Sequence, residues 1–122
     1  MKRKFRITRS IDFKRVRREG RSYTHPLLVL TVAPGIDEYS RVGFITGKAI
    51  GNAVRRNRVK RQLRSIFSEF LPLFLHEHDL VVIARKPIAE TDFVVIRQVI
   101  KQLLTRAQVI LADENDTGRP AS

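Results

Sequence analysis

Residues 51–70 read GNAVRRNRVKRQLRSIFSEF and decide the fold, because an apolar stripe runs through them at helical spacing. At about 100° per residue, one face of a helix collects five apolar side chains: Val59, Leu63, Ile66, Phe67 and Phe70. We therefore predict a helix over residues 52–70 that buries this face in a core. Pro72 marks the point where the helix weakens.

The same helix carries six cations and no acidic residue between positions 55 and 64. The cations are Arg55, Arg56, Arg58, Lys60, Arg61 and Arg64. A polar stripe at helical spacing lies beside the apolar one and consists of Asn57, Lys60, Arg61 and Arg64. Like charges at this spacing repel one another, so the stripe indicates a polyanionic partner. A solvated helix face is the alternative interpretation.

The composition also indicates a strongly anionic partner, because the net charge is +12 on 122 residues. Nucleic acid and an anionic membrane are the two candidates, but no apolar run approaches the roughly 18 residues of a spanning helix. We therefore expect no membrane partner. The absence of cysteine and of an apolar signal segment favours the reducing cytoplasm. We expect one domain over residues 1–112 and a disordered C-terminal tail over residues 113–122, which lack an apolar pattern.

Three apolar runs outside this helix are predicted to be strands, at residues 26–32, 41–46 and 79–84. A short strand over residues 21–24 could add an edge to the sheet. The connection between the first two long strands is short, so we expect these strands to be antiparallel.

Two further helices flank the strands. We predict the first over residues 10–19, with Ser10 as its cap and Gly20 at its end. We predict the last over residues 92–111, with Thr91 as its cap. Its core side would consist of Val95, Val99, Leu103 and Ile110. The order helix, strand, strand, helix, strand, helix predicts an α+β two-layer sandwich, with helices packed on a small, mainly antiparallel sheet.

The sequence contains no recognisable catalytic or metal site. Residues 43–49, GFITGKA, resemble a nucleotide-binding loop, but Ala49 replaces the hydroxyl that such a loop requires. His76 and His78 alternate in a way that splays their side chains on a helix, so a solvated loop is the favoured interpretation. The carboxylates are scattered over caps, turns and helix ends. We predict no catalytic residue and no metal ligand.

The first 21 residues form a second basic region, with ten cations against two carboxylates. Within it, Phe13 lies beside Arg9, Lys14 and Arg17. An aromatic ring among cations is suited to stacking on an unpaired RNA base. Packing of Phe13 in the core is the alternative interpretation.

One motif is more specific than these general features. It reads Arg56-Asn57-Arg58-x-Lys60-Arg61, preceded by Gly51-Asn52-Ala53-Val54 and followed by Leu63-Arg64. Further matching segments are Asp12-Phe13-x-x-Val16 with Gly20, Arg41-Val42-Gly43, and Ile83-Ala84-Arg85-Lys86-Pro87. In this order and spacing, the segments resemble the bacterial ribonuclease P protein family over roughly residues 3–107.

The resemblance implies a single RNA-binding domain that joins a large catalytic RNA and supports removal of the 5′ leader of precursor tRNA. The RNA and its bound Mg²⁺ would perform the hydrolysis, and we expect no obligate protein partner. The family fold implies a left-handed crossover around the basic helix, against the usual right-handed preference. By analogy, the contacts to the RNA subunit would be made by Lys48, Asn52, Arg56, Asn57, Arg58, Lys60, Arg61 and Arg64.

The same analogy assigns Phe13, Arg17 and Thr31 to the single-stranded leader. Arg17 and Thr31 stand where the family commonly has aromatic residues, and Arg17 could substitute by charge or by planar stacking. Ala49 replaces the second of two lysines usual in the family, which removes one phosphate contact. The alternatives are a ribosomal or general RNA-binding protein without a role in cleavage and, weaker, a DNA-binding regulator.

Overall fold

The computed structural model describes residues 1–112 and contains a four-stranded sheet with three α-helices. In chain order, the elements are α1 Ser10–Glu19, β1 Arg21–Thr24, β2 Leu28–Pro34, β3 Arg41–Ile45, α2 Ala53–Phe70, β4 His78–Ala84 and α3 Phe93–Arg106. Short 3₁₀ turns occupy Arg3–Phe5, Lys48–Ile50, Leu71–Leu73 and Lys86–Glu90. The α+β class and the edge strand are confirmed. The predicted tail lies outside the described residues.

The strands lie in the order β1-β2-β4-β3. β2 pairs antiparallel with β1 and with β4, whereas β3 pairs parallel with β4. β2 and β3 run antiparallel, as predicted. They are not neighbours in the sheet, however, because β4 lies between them, although the loop that connects β2 to β3 is short. Four consecutive residues of β4, residues 79–82, are buried. This strand lies in the interior of the sheet, where both of its edges are paired, and both of its faces are covered along residues 79–82.

α2 links the parallel strands β3 and β4 and packs on one face of the sheet together with α3. Its predicted apolar stripe is confirmed, because all five side chains are buried in the main core. Phe67 of this stripe meets Phe44 of β3 edge to face, with ring centroids 5.7 Å apart. The crossover predicted around the basic helix is thus present, because α2 connects two parallel strands. That the crossover is left-handed stays a prediction.

α3 is shorter than predicted, and its buried stripe agrees with the prediction at Val99 and Leu103 but not at Val95. It ends at Arg106 rather than near residue 111, because the chain turns at Gln108, whose φ is +61°. The buried side chains of the helix are Ile96, Val99, Ile100, Leu103 and Leu104. Val95 is 45% exposed, so its assignment to the core is wrong, whereas Ile110 is buried beyond the helix end.

The two predicted side-chain caps are also wrong. Ser10 is the first residue of α1, and Arg9 occupies the N-cap position without a side-chain hydrogen bond. The hydroxyl of Thr91 donates instead to the carbonyl oxygen of Pro87 at 2.8 Å. Asp92 occupies the N-cap position of α3, and its side chain forms no capping bond.

α1 lies on the opposite face of the sheet from α2 and α3. Its Val16 packs in a second, smaller core with Ile7, Ala33 and Val81. Gly20 ends the helix as predicted, and close packing requires it, because a Cβ there would lie 2.5 Å from the carbonyl oxygen of Val16. α1 therefore covers the part of this face that contains Ala33 and Val81.

A buried ion network fixes α1 against β3 and β4. Asp79 of β4 is fully buried and accepts hydrogen bonds from Arg15 of α1 and Arg41 of β3. One Arg41 nitrogen, Nη2, lies 3.0 Å from Asp79 Oδ2 and 3.3 Å from Asp12 Oδ1. Hydrogen bonding to Asp79 raises the pKa of Arg41 above its ordinary value, although burial opposes this. The network sets the position of α1 and of the side chains that it carries.

Candidate nucleic-acid interface

The basic helix α2 begins on a backbone conformation that favours glycine. Gly51 has a φ of +134°, and a Cβ there would lie 2.7 Å from Cδ of Arg55. Asn52 then caps the helix, because its Oδ1 accepts the backbone N–H of Arg55 at 3.0 Å. Asn52 is exposed. The residue therefore sets the start of α2 and still faces solvent.

The outward face of α2 carries polar side chains without a hydrogen-bond or ion-pair partner in residues 1–112. They are Arg56, Asn57, Lys60 and Arg61. Asn57 and Arg61 are exposed, and Arg56 and Lys60 are half-buried. Because no carboxylate neutralises these cations, they can pair with phosphate groups without first breaking a contact within the protein.

Two other cations of α2 are tied to the turn Lys86–Glu90. Arg58 donates to the carbonyl oxygen of Ala89 at 2.9 Å, and Arg55 Nη1 lies 3.6 Å from Glu90 Oε1. The guanidinium of Arg58 has five N–H donors, so the bond to Ala89 leaves others for an anion. Arg58 therefore has a structural contact that its place in the motif does not reveal.

The turns that follow β3 and β4 bring Lys48 and Lys86 together beyond the C-terminal ends of these two strands, where α2 begins. This follows from the parallel pairing of the two strands, whose ends Ile45 and Ile83 are partners. The turn Lys48–Ile50 packs against the turn Lys86–Glu90, and both lysines are exposed. The predicted contacts to the RNA subunit do not include Lys86, because only the pairing of the strands places this residue beside Lys48.

Arg64, the last cation of the stripe, lies near a cation from another part of the chain. It is half-buried, and burial together with the nearby charge of Arg6 lowers its pKa from the ordinary value. Arg6 belongs to the segment before α1, and the sequence prediction does not include it. The polar face of α2 therefore reaches a second basic element of the chain.

The three predicted leader residues do not share one environment. The half-buried ring of Phe13 lies against Gly43 of β3, where a Cβ would be 2.5 Å from Phe13 Cε1. Arg17, one turn later on α1, is exposed. Thr31 is only 3% exposed, and its hydroxyl lies 2.9 Å from Ser22 Oγ. Thr31 thus offers no surface to a leader, and the structure does not support its assignment.

Part of the sheet face beside α1 is left partly open. The half-buried side chains there are Val29, Ile45 and Ile83, which follow the alternation of β2, β3 and β4 toward the α1 side. Phe13 and Arg17 lie on one side of this apolar surface. Lys48 and Lys86, beyond the ends of β3 and β4, lie on the other side. The arrangement is a partly open apolar face with cations on both sides.

Within residues 1–112, no group of three or more His, Cys, Asp or Glu side chains could hold a metal ion. No helix in the same residues is long and apolar enough to cross a membrane. The fold and the site instead define a class of small basic α+β proteins. In this class a cationic helix joins two parallel strands beside an open, apolar sheet face.

Within that class, the chain belongs to the ribonuclease P protein family, because the family model described as Ribonuclease P matches residues 1–108. A "Ribonuclease P protein component" from Chloroflexus aurantiacus is 37% identical over 123 residues, covering 100% of this chain and 91% of that protein. A protein of the same name from Listeria monocytogenes is 35% identical over 118 residues, covering 96% and 99%.

Solved structures of the family share the fold. The RNase P protein from Staphylococcus aureus has a TM-score of 0.81 at 29% identity, covering 87% of this chain and 97% of that one. The RNase P protein from Thermotoga maritima has a TM-score of 0.75 at 32% identity, covering 83% and 96%. These relatives confirm the resemblance seen in the sequence and link the chain to a nuclease of tRNA processing.

Proposed function

We propose that the chain is the protein subunit of ribonuclease P in the cytoplasm. It binds the catalytic RNA and the 5′ leader of precursor tRNA and so supports endonucleolytic removal of the leader. The RNA performs the hydrolysis with Mg²⁺ that the RNA and the substrate mainly hold, and the protein supplies no catalytic residue. The observation that carries this proposal is the outward face of α2, where Arg56, Lys60 and Arg61 have no acidic partner in the described chain.

Electrostatics supports the assignment of α2 to the RNA subunit. Three cations within two helical turns repel one another in the free protein, and phosphate groups remove that repulsion. Lys48 and Asn52 extend this face to the start of the helix. Arg64 extends it toward the sheet.

The partly open apolar face supports a separate site for the leader. The half-buried ring of Phe13 offers a flat face on which an unpaired base can stack, and half-buried Ile45 and Ile83 offer apolar contact beside it. Arg17 and Lys48, on the two sides of the partly open apolar face, are placed to pair with the leader's phosphates. The leader and the RNA subunit would then occupy different surfaces that meet at the start of α2.

Reconstitution tests the proposal. Purified protein is mixed with ribonuclease P RNA, and cleavage of precursor tRNA is followed at low Mg²⁺. We expect the protein to increase the cleavage rate, because its cations take over part of the phosphate neutralisation that metal ions otherwise provide. No increase would refute the proposal. Binding without an increase would favour a general RNA-binding protein with no role in cleavage.

A matched pair of variants tests the contact face itself. Arg61→Ala should weaken binding to the RNA subunit and lower the salt slope of the affinity by about 0.7 to 0.9, with an unchanged melting temperature. Arg18→Ala removes the same charge from α1, where the side chain is 72% exposed and pairs only with its neighbour Glu19 among residues 1–112. Equal losses in the two variants would show that net charge, and not the face of α2, determines binding.

A further inference from the structure

The side chain of Arg6 is directed toward the α2 side of the sheet. Arg6 forms a parallel β-bridge with Val42, at the edge of β3 that does not face β4. Bridged residues direct their side chains to the same face, and Val42 is buried in the core beneath α2. The next residue, Ile7, packs with Val16 of α1 on the opposite face, as the alternation requires.

Arg64 approaches the same edge from above the sheet. Phe67, one turn later on α2, packs against Phe44 of β3. Phe44 lies two residues from Val42 and therefore on the same face. The guanidinium groups of Arg6 and Arg64 thus lie on one side of the molecule, where the N-terminal segment, β3 and α2 meet.

Neither arginine has a compensating carboxylate within residues 1–112. The Nε atoms of Arg6 and Arg64 are both buried without a hydrogen-bond partner, and neither side chain forms an ion pair. On the opposite face, by contrast, Arg15 and Arg41 share the carboxylate of Asp79. Two half-buried arginine side chains on one side of the molecule, without an anion, destabilise the free protein, and the charge of Arg6 acts on Arg64 by lowering its pKa. An anion with several acceptor oxygens would remove that cost.

We propose that Arg6 and Arg64 form a clamp for one phosphodiester group of RNA. This inference rests on the proposed function and adds Arg6 to the RNA-binding face. A planar guanidinium presents paired N–H donors that match two oxygens of a phosphate, and partial burial reduces screening by salt. The backbone holds Arg6 in place, because the N–H of Ile7 donates to the carbonyl oxygen of Val42 at 3.0 Å.

Two charge-matched variants test the clamp with RNA. Arg6→Ala should weaken binding to ribonuclease P RNA about tenfold or more, since it removes charge-assisted hydrogen bonds. Arg3→Ala, an exposed cation of the same segment, should lose much less. Combining Arg6→Ala with Arg64→Ala should cost less than the product of the two single losses, because both side chains contact one phosphate. Equal losses for Arg6→Ala and Arg3→Ala, or independent losses in the double variant, would overturn the clamp.

The melting temperature of Arg6→Ala provides a second test, because it should not fall even though the affinity for RNA does. Without RNA, Arg6→Ala should melt at the wild-type temperature or above it, because the variant removes a repulsion. A lower melting temperature would show that Arg6 serves the fold and would count against the clamp.

Inorganic phosphate tests the clamp without any RNA. At about 50 mM it should raise the melting temperature of the wild type and of Arg3→Ala more than that of Arg6→Ala. An equal shift in all three proteins, or no shift, would overturn the clamp. Failure of the wild type to bind ribonuclease P RNA would refute the proposed function instead, and the phosphate experiment would still decide the clamp.

Discussion

Replacing Asp79 by Asn tests whether the buried ion network holds α1 on the sheet. The carboxylate of Asp79 is fully buried and accepts hydrogen bonds from Arg15 and Arg41. Asp79→Asn keeps the size of the side chain, but it removes the charge and turns an N–H donor toward the guanidinium groups. Arg15 then relies on the exposed Glu19, 3.9 Å away.

The expected magnitude follows from burial. Removing one partner of a buried ion pair typically lowers the free energy of unfolding by about 3–5 kcal/mol. Arg41 retains Asp12 as a partner at 3.3 Å, so we expect the lower end, about 3 kcal/mol. At a urea m-value of about 1.5 kcal/mol per M, the unfolding midpoint should fall by about 2 M.

Urea unfolding followed by circular dichroism measures this shift. Glu19→Gln is the matched control, because Glu19 is 49% exposed and its nearer partner, Arg18, is 72% exposed. That variant should change the free energy of unfolding by less than about 0.5 kcal/mol. If Asp79→Asn shifts the midpoint no more than Glu19→Gln does, the network does not hold α1, and the position of Phe13 must have another cause.

Gly43→Ala should weaken binding of precursor tRNA more than binding of mature tRNA, because the new methyl group would lie 2.5 Å from Phe13 and displace its ring. Equal losses in the two titrations would contradict a leader site at Phe13. Arg58→Ala should weaken RNA binding and also lower the melting temperature by a few degrees, since the carbonyl of Ala89 loses its donor. An unchanged melting temperature would show that this bond does not hold the turn. Acidification below the ordinary pKa of histidine, about 6.5, should reduce stability. Burial lowers the pKa of His78 from that ordinary value, so the unfolded chain binds the proton more readily than the folded one. In pH-dependent unfolding, His78→Phe should flatten this dependence, and an unaltered pH profile would exclude His78 as its source.

Features set by local spacing could be predicted from the sequence. The five apolar residues of α2 are buried as expected, because the geometry of a helix alone decides which side chains share a face. The strands were also locatable, since β-branched runs between turn residues are local signals. β2 begins and ends two residues later than the predicted range 26–32, and β4 begins one residue earlier than the range 79–84.

Features that depend on strand pairing could not be predicted in this way. In the sequence, Asp79 looks like the first residue of a strand, and Arg15 and Arg41 look like surface cations. Only the folded sheet brings the three side chains into contact. In α3, Val95 and Ile96 both begin apolar series at helical spacing. Only the docking of the helix on the core selects the series that starts at Ile96.

The leader residues illustrate the same limit at the functional site. Thr31 stands where the family commonly has aromatic residues, but α1 ends over β2 and covers that position. Gly20 at the helix end would place a Cβ 2.7 Å from Thr31 Cγ2. Arg17 has no such neighbour and stays exposed.

The central position of β4 has a consequence for how the chain folds. β1 and β2 can form a hairpin early, but β3 has no hydrogen-bonded strand partner until β4 arrives more than 30 residues later in the sequence. A growing chain that ends before His78 therefore holds a hairpin and the strand β3, which is paired only through the bridge between Arg6 and Val42. Until β4 has been synthesised, the strand edges that it will pair are exposed, although the cationic helix α2 is already part of the chain. Insertion of β4 joins the two halves of the sheet, so we expect it to be a late and cooperative step of folding.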